Sequence, residues 1–178
     1  NIVSYNDTVR GKTVVVFDIE TTGLDSENDE ITEIGAVKVV DGTITERFAS
    51  FVKPTVPIPK EVQELTHITN EMVKDAPSIN DVIYDFNNFC ADCVLCGHNV
   101  IGFDLKFIKK AAEKAGLYFK NQIIDTLVLA RTSSLRLANY KLGTIVSALG
   151  LTLEGAHRAY NDAFATAQVL LELCKIKK

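Results

Sequence analysis

Four apolar residues, Val14, Val15, Val16 and Phe17, lead directly into Asp18 and Glu20, with one apolar residue between the two acids. Such a run reads as a buried strand over residues 13 to 19. Side chains two apart on a strand point to the same side, so the two carboxylates stand next to each other at its end. Asp is depleted in strands. Two like charges a few ångströms apart in a half-buried setting repel by about 1–4 kcal/mol, depending on the local dielectric. A strand that ends at the surface, with both carboxylates solvated, is one resolution. A divalent cation is the other, and hard oxygen ligands favour Mg²⁺ or Mn²⁺.

Around this strand the pattern is that of one α/β domain with a mixed sheet. "ITEIGAVKVV" (31 to 40) and "TITERFASFV" (43 to 52) flank Asp41-Gly42, a strong hairpin signal. "KPTVPIPK" (53 to 60) holds three of the four prolines and reads as an extended loop, followed by two short helical turns around "EVQELTHITNEMVK". Ser78, with Asp81 three residues on, starts a helix that runs to about Cys90. "VLCGHN" (94 to 99) is the next strand. "FDLKFIKKAAEKAG" is an amphipathic helix stopped by Gly116. "QIID" is a short strand leading into the helix "TLVLAR", with Asp125 as its cap. "KLGTIVSALG" and "NDAFATAQVLLELCKIKK" are the last two helices. A hairpin, a Pro-rich crossover and later strand–helix alternation imply three consecutive N-terminal strands joined by parallel ones.

The 178 residues, 47% hydrophobic and 24% charged, fit one soluble domain. No stretch approaches the roughly 18 to 20 apolar residues that cross a bilayer, and "NIVSYNDTVRGK" lacks the build of a secretory signal. The chain does not begin with Met, which is expected of a piece of a longer polypeptide. A net charge of −4 gives no general attraction for a polyanion. Nucleic acid, if handled, must be held locally, through bound cations or a small basic rim. Cys90, Cys93 and Cys96 have the spacing C-x2-C-x2-C. A metal cluster is one reading, but a helical stripe followed by a buried strand turns the sulfurs in different directions. The thiols are better read as small buried hydrophobes, and unpaired thiols suit a reducing cytoplasm.

Two further acids sit where they could join the first pair. Asp104 lies in the first turn of a helix that follows a strand, and Asp162 lies at the start of the final helix. Each could simply complement a helix dipole. His157, five residues before Asp162, is a natural general base beside metal-bound carboxylates, because its reference pKa near 6.5 suits proton removal at neutral pH.

"FDIETTGL", "HNVIGFD" and "HRAYNDA" resemble, in order, the three motifs of the DnaQ-like (DEDDh) 3′→5′ exonucleases. The similarity runs from about Thr13 to Cys174 and includes "ITEIGAVKV", "FVKPTVPIPKEVQELTHIT" and "IIDTLVLAR". The middle stretches are most similar to the proofreading exonuclease domain of PolC-type bacterial DNA polymerase III. One departure is His67 in "LTHIT", where such proteins more often have Gly.

The resemblance implies a ribonuclease H-like fold, a five-stranded mixed sheet with helices on both faces. It implies residues 1–178 as a single exonuclease domain, a fragment of a larger polymerase chain, working in the cytoplasm. Two divalent cations, Mg²⁺ or Mn²⁺, are its cofactors. Asp18, Glu20 and Asp162 would hold the first, Asp18 would bridge to the second with Asp104 in support, and His157 would take the proton from water. Thr21, Thr22 and Gly23 would form a turn that bonds the terminal nucleotide, with Leu24 against a base. Leu65, Thr66 and Ile68 would pack on the terminal base and sugar, and His98, Asn99 and Phe103 would line the pocket. The implied partners are the 3′ end of single-stranded DNA and a polymerase domain or subunit, with no membrane. Two other readings stay open here: an RNA exonuclease that trims oligoribonucleotides or tRNA ends, and a silent scaffold that binds a polymerase. The closing "CKIKK" is either a solvated helix end or the start of a link to another domain.

Overall fold

A computed structural model describes residues 11–175, so the opening "NIVSYNDTVR" and the closing "IKK" lie outside the described residues. The sheet contains β1 (Thr13–Thr21), β2 (Ile31–Val40), β3 (Thr43–Phe51), β4 (Val94–Gly97) and β5 (Ile123–Asp125), in the order β3-β2-β1-β4-β5. β1–β2 and β2–β3 pair antiparallel, while β1–β4 and β4–β5 pair parallel. This is the mixed ribonuclease H-like sheet expected above. Asp41 and Gly42 both take positive φ (48° and 82°) in the two-residue turn between β2 and β3, which is why Asp-Gly closes this hairpin.

β1 is the central strand, and the two faces of its apolar run feed two different cores. Val15, Phe17 and Ile19 pack with Phe86 of α3 (Ile79–Cys90) and Ile108 of α4 (Asp104–Lys114). Val14 and Val16 pack on the opposite face with Ala167 and Leu170 of α7 (Ala159–Lys175). Leu173 and Val169 of α7 then cover α5 (Thr126–Thr132) and α6 (Leu142–Ala148). Asp18 and Glu20 continue the Val14–Val16 side and so point toward α7. At Glu20/Thr21 the register with β2 slips, a bulge that ends the regular ladder at the two acids.

Ser78 caps α3 by accepting from the Asp81 N–H. The Pro-rich loop leads to α1 (Lys60–Thr66) and α2 (Asn70–Val73), a small layer whose core is Ile58, Ile68 and Val73. β4 is shorter than the expected 94–99 strand, because the chain turns at His98 and Asn99, and Asn99 has φ 58°. Cys90 and Cys93 lie on the α3–α4 side of the sheet and Cys96 on the α7 side, so the three cannot share one ion. Burial pushes the Cys90 and Cys96 thiols up, which keeps them protonated and inert.

Candidate active site

Asp18 and Glu20 come from the end of β1, Asp162 from the first turn of α7, and Asp104 from the first residue of α4. One carboxylate oxygen from each of Asp18, Glu20 and Asp162 lies within 4.8 Å of the other two. Asp104, only 3% exposed, accepts the Ile19 backbone N–H at 3.2 Å, and its charge acts on Asp18 more strongly than that of Asp162 or Glu20. Asp18 feels the charges of Asp104, Asp162 and Glu20 together, so it is the hub of the cluster.

The electrostatics of this cluster are unfavourable without a counter-charge. Burial, then Asp104, Asp162 and Glu20, raise the Asp18 pKa well above the usual carboxylate range. Burial and the neighbouring Asp162 and Glu33 push Glu20 to about 8, against the pull of Arg158. Burial lifts Asp104 to about 7, although hydrogen bonds from its own amide and that of Ile19 oppose the rise. Asp162 rises to about 6, again through burial, with His157 opposing. Oδ2 of Asp18 and Oε2 of Glu20 are sealed from solvent with no hydrogen-bond partner. Buried carboxylate oxygens rarely stay unpaired. Orphaned hard donors beside a third carboxylate fit a divalent cation, and the donor set is that of Mg²⁺ or Mn²⁺.

A family model described as an exonuclease (RNase_T) matches residues 15–170. The chain belongs to this exonuclease family. It is 48% identical over 156 residues to the DNA polymerase III PolC-type of Clostridium perfringens, covering 88% of this chain and 11% of that protein. It is 41% identical over 177 residues to the corresponding protein of Thermotoga maritima, covering 99% of this chain and 13% of that one. The exonuclease chain thus spans a small part of the length of these relatives. Among solved structures, exonuclease X in complex with 5′-overhanging duplex DNA is similar at TM-score 0.72 and 27% identity, over 91% of both chains. E. coli exonuclease I with a dT13 oligonucleotide has a TM-score of 0.79 at 16% identity, over 90% of this chain and 40% of that one, which speaks to the fold alone. No helix among the described residues is long and apolar enough to cross a membrane.

The exonuclease's remaining sequence candidates divide by position. His157 is exposed on the loop entering α7, with φ 69°, and its backbone N–H donates to Asp162 Oδ2 at 3.2 Å. Leu24 and Leu65 are 87% and 56% exposed, open apolar faces. Asn99 is exposed, and Phe103 is half-buried against Phe107 with ring centroids 4.9 Å apart. Several others are turned inward. The Thr21 hydroxyl donates to the Gly23 carbonyl at 2.5 Å, and the Thr22 hydroxyl pairs with Asp29 and the Glu30 amide. A Cβ on Gly23 would run into the Asp29 carboxylate, so this turn needs glycine for internal reasons. Thr66 is buried, with its hydroxyl donating to the Val62 carbonyl, and Ile68 is fully buried under α1 and α2. Neither side chain is exposed. Both His98 ring nitrogens are engaged, Nδ1 at 2.8 Å from the Thr126 hydroxyl and Nε2 at 2.8 Å from the Tyr140 carbonyl. Burial lowers the His98 pKa, so a neutral ring braces α5 rather than reaching into the cleft.

Two carboxylates went unrecognised as site architecture. Asp125 does cap α5, through Leu127, but it also accepts the Asn99 amide at 2.8 Å and the Ile101 amide at 3.2 Å. It thereby fixes the turn that delivers Asp104. Glu33, 5% exposed on β2, stands directly across from Glu20. Its sequence signal is slight: it is the one acid on β2, a strand that also carries Thr32 and Lys38.

Proposed function

We propose that this domain is a metal-dependent 3′→5′ exonuclease that hydrolyses the terminal phosphodiester of single-stranded or frayed DNA and releases 5′-mononucleotides, as the proofreading activity of a PolC-type DNA polymerase III in the bacterial cytoplasm. The observation that carries it is the Asp18–Glu20–Asp162 cluster with two orphaned oxygens, in a chain of the exonuclease family. Asp18, Glu20 and Asp162 would hold one divalent cation, and Asp18 with Asp104 a second. Bound there, Mg²⁺ or Mn²⁺ supplies positive charge against the phosphate oxygens and acidifies a coordinated water.

The protein's own groups do the rest. A ring nitrogen of His157, on an exposed loop tied to Asp162, takes the proton from the attacking water. Leu24 and Leu65 offer apolar contact to the terminal base, and Asn99 is exposed on the turn that leads to Asp104. Binding one or two nucleotides this way asks for no long basic groove, in keeping with the net charge of −4.

The test is release of label from matched 3′-labelled single-stranded DNA and RNA, with and without Mg²⁺. Label should leave the DNA first, as a 5′-mononucleotide, only with the cation present. Release from the 5′ end, or none, overturns the proposal; faster release from RNA moves the substrate to oligoribonucleotides.

A further inference from the structure

We infer that Glu33 and Arg158 form a seat for the start of α7, and that Glu33 is a positioning residue for the acid cluster. The inference deepens the proposed activity and rests on it. Glu33 carries no expected catalytic role, yet it is an almost fully buried acid standing across from Glu20 in the β1–β2 register. Like charges directly opposite on paired strands are destabilising. The chain resolves this conflict with a cation from another element. Arg158 donates through Nε to Glu33 Oε1 at 3.3 Å and through an Nη to Oε2 at 3.0 Å, a two-pronged pair.

The same carboxylate performs a second task. Its Oε1 accepts the Ala159 backbone N–H at 2.9 Å, and Ala159 is the first residue of α7. That amide belongs to the first turn, where helices lack internal partners and favour a negative charge. A residue of β2 therefore caps a helix 126 positions away in sequence.

Three other contacts hold the seat in place. The Arg158 guanidinium lies 5.1 Å from the centroid of Phe51, the β3 residue paired with Glu33. Arg47 of β3 reaches Tyr160, 3.4 Å from its hydroxyl. Gly35 lets the backbone of α7 rest directly on β2, because a Cβ there would collide with Tyr160 N and Ala159 C. The clamped residues 158–160 lie between His157 and Asp162, so any slack passes to both. A bidentate pair on a buried carboxylate, combined with a helix cap, fixes direction as well as distance, which a merely neutralising charge would not do.

Charge and placement make different predictions for the two partners. If Glu33 and Arg158 acted only through charge, removing the acid would weaken cation binding and removing Arg158 would tighten it. A seat requires both partners. Glu33→Gln, Glu33→Ala and Arg158→Met are compared with wild type by Mn²⁺ titration calorimetry, by kcat and KM at saturating Mn²⁺ on a 3′-labelled oligonucleotide, and by thermal melts. Glu33→Gln keeps the shape and an acceptor for Ala159, so it folds even where Glu33→Ala does not. The seat predicts kcat lowered about 10-fold in Glu33→Gln and Arg158→Met and about 100-fold in Glu33→Ala, with KM within about 2-fold. It predicts Mn²⁺ affinity weakened in all three. Tighter Mn²⁺ binding by Arg158→Met would overturn it in favour of bare charge. A lowered melting temperature with kcat and Mn²⁺ affinity unchanged would overturn it in favour of fold stability alone. Should wild type release no nucleotide, the proposed activity fails, and the seat is judged separately on whether Glu33→Gln and Arg158→Met both weaken Mn²⁺ binding.

Discussion

Asp104→Asn removes one buried charge while keeping an acceptor for the Ile19 amide, and its effect can be worked through. Burial lifts the wild-type Asp104 pKa from its ordinary 3.8 to about 7. A carboxylate whose folded pKa is raised contributes stability in full below the unfolded pKa, and that contribution disappears as pH rises through the folded one. Between pH 5 and 8 the loss is about two pKa units, or about 3 kcal/mol at about 1.36 kcal/mol per unit. Glu20, near 8, and Asp162, near 6, act in the same direction, although interacting groups do not add simply. For a domain of this size about 3 kcal/mol shifts the melting temperature by about 6–12 °C. Metal-free wild type should therefore melt well below Asp104→Asn at pH 8 and close to it at pH 5. Adding Mg²⁺ at pH 8 should raise the melting temperature of wild type more than at pH 5, because the cation replaces bound protons. The assay is calorimetry of both proteins across that window in chelator and in Mg²⁺. Parallel pH profiles for the two proteins, or Mg²⁺ stabilising more at pH 5 than at pH 8, would refute the picture of a strained acidic cluster.

Asp18→Ala should lower kcat by at least about 10³-fold, a loss of several kcal/mol of charge stabilisation, while metal-free stability at pH 8 holds or rises; nucleotide release and melting checked together would reveal an unfolded variant. His157→Ala should slow turnover by about 10²–10⁴-fold with Mn²⁺ affinity retained, and titration calorimetry showing lost metal would make the imidazole a ligand instead. Gly35→Ala places a methyl where the Ala159–Tyr160 backbone lies, so it should cost about 1–3 kcal/mol or more and be seen as a lower denaturant midpoint. His67 closes α1 in the left-handed region at φ 62°, so His67→Gly should stabilise by up to about 1 kcal/mol, and a destabilised variant would point to a contact made by the imidazole.

How far the sequence carries this reading depends on whether a feature is local. The Asp41-Gly42 hairpin, the Ser78 cap and the apolar run of β1 are decided within a few residues, and each appears where the pattern placed it. The acids were legible for a related reason. Each lies where an apolar strand ends or a helix begins, and a charge there is conspicuous against its neighbours. Inward commitment is not local. Nothing beside His98 in the chain reveals that Tyr140, 42 positions on, takes one ring nitrogen, and nothing beside Ile68 reveals that Ile58 and Val73 close over it. The His67 departure lies between these cases. The substitution of His for Gly is visible in the sequence, but its meaning, a left-handed helix cap, is a backbone dihedral.

Glu33 is the harder case, because nothing in its own strand shows what it faces. Its role follows from three chain-distant facts: Glu20 stands across from it, Arg158 arrives from the loop before α7, and the first amide of that helix needs an acceptor. A site that gathers four carboxylates must spend stability to do so, and the helix bearing Asp162 would relieve that repulsion by tilting away from β1. Packing sets how deeply the helix start sits, since Ala159 and Ala163 are fully buried and Gly35 lets the α7 backbone rest on β2, but it sets direction less well. A hydrogen-bonded ion pair resists the tilt by direction, since displacement would leave Glu33 both buried and unpaired. On the proposed seat, the repulsion among the four acids is opposed by one further acid that is itself satisfied.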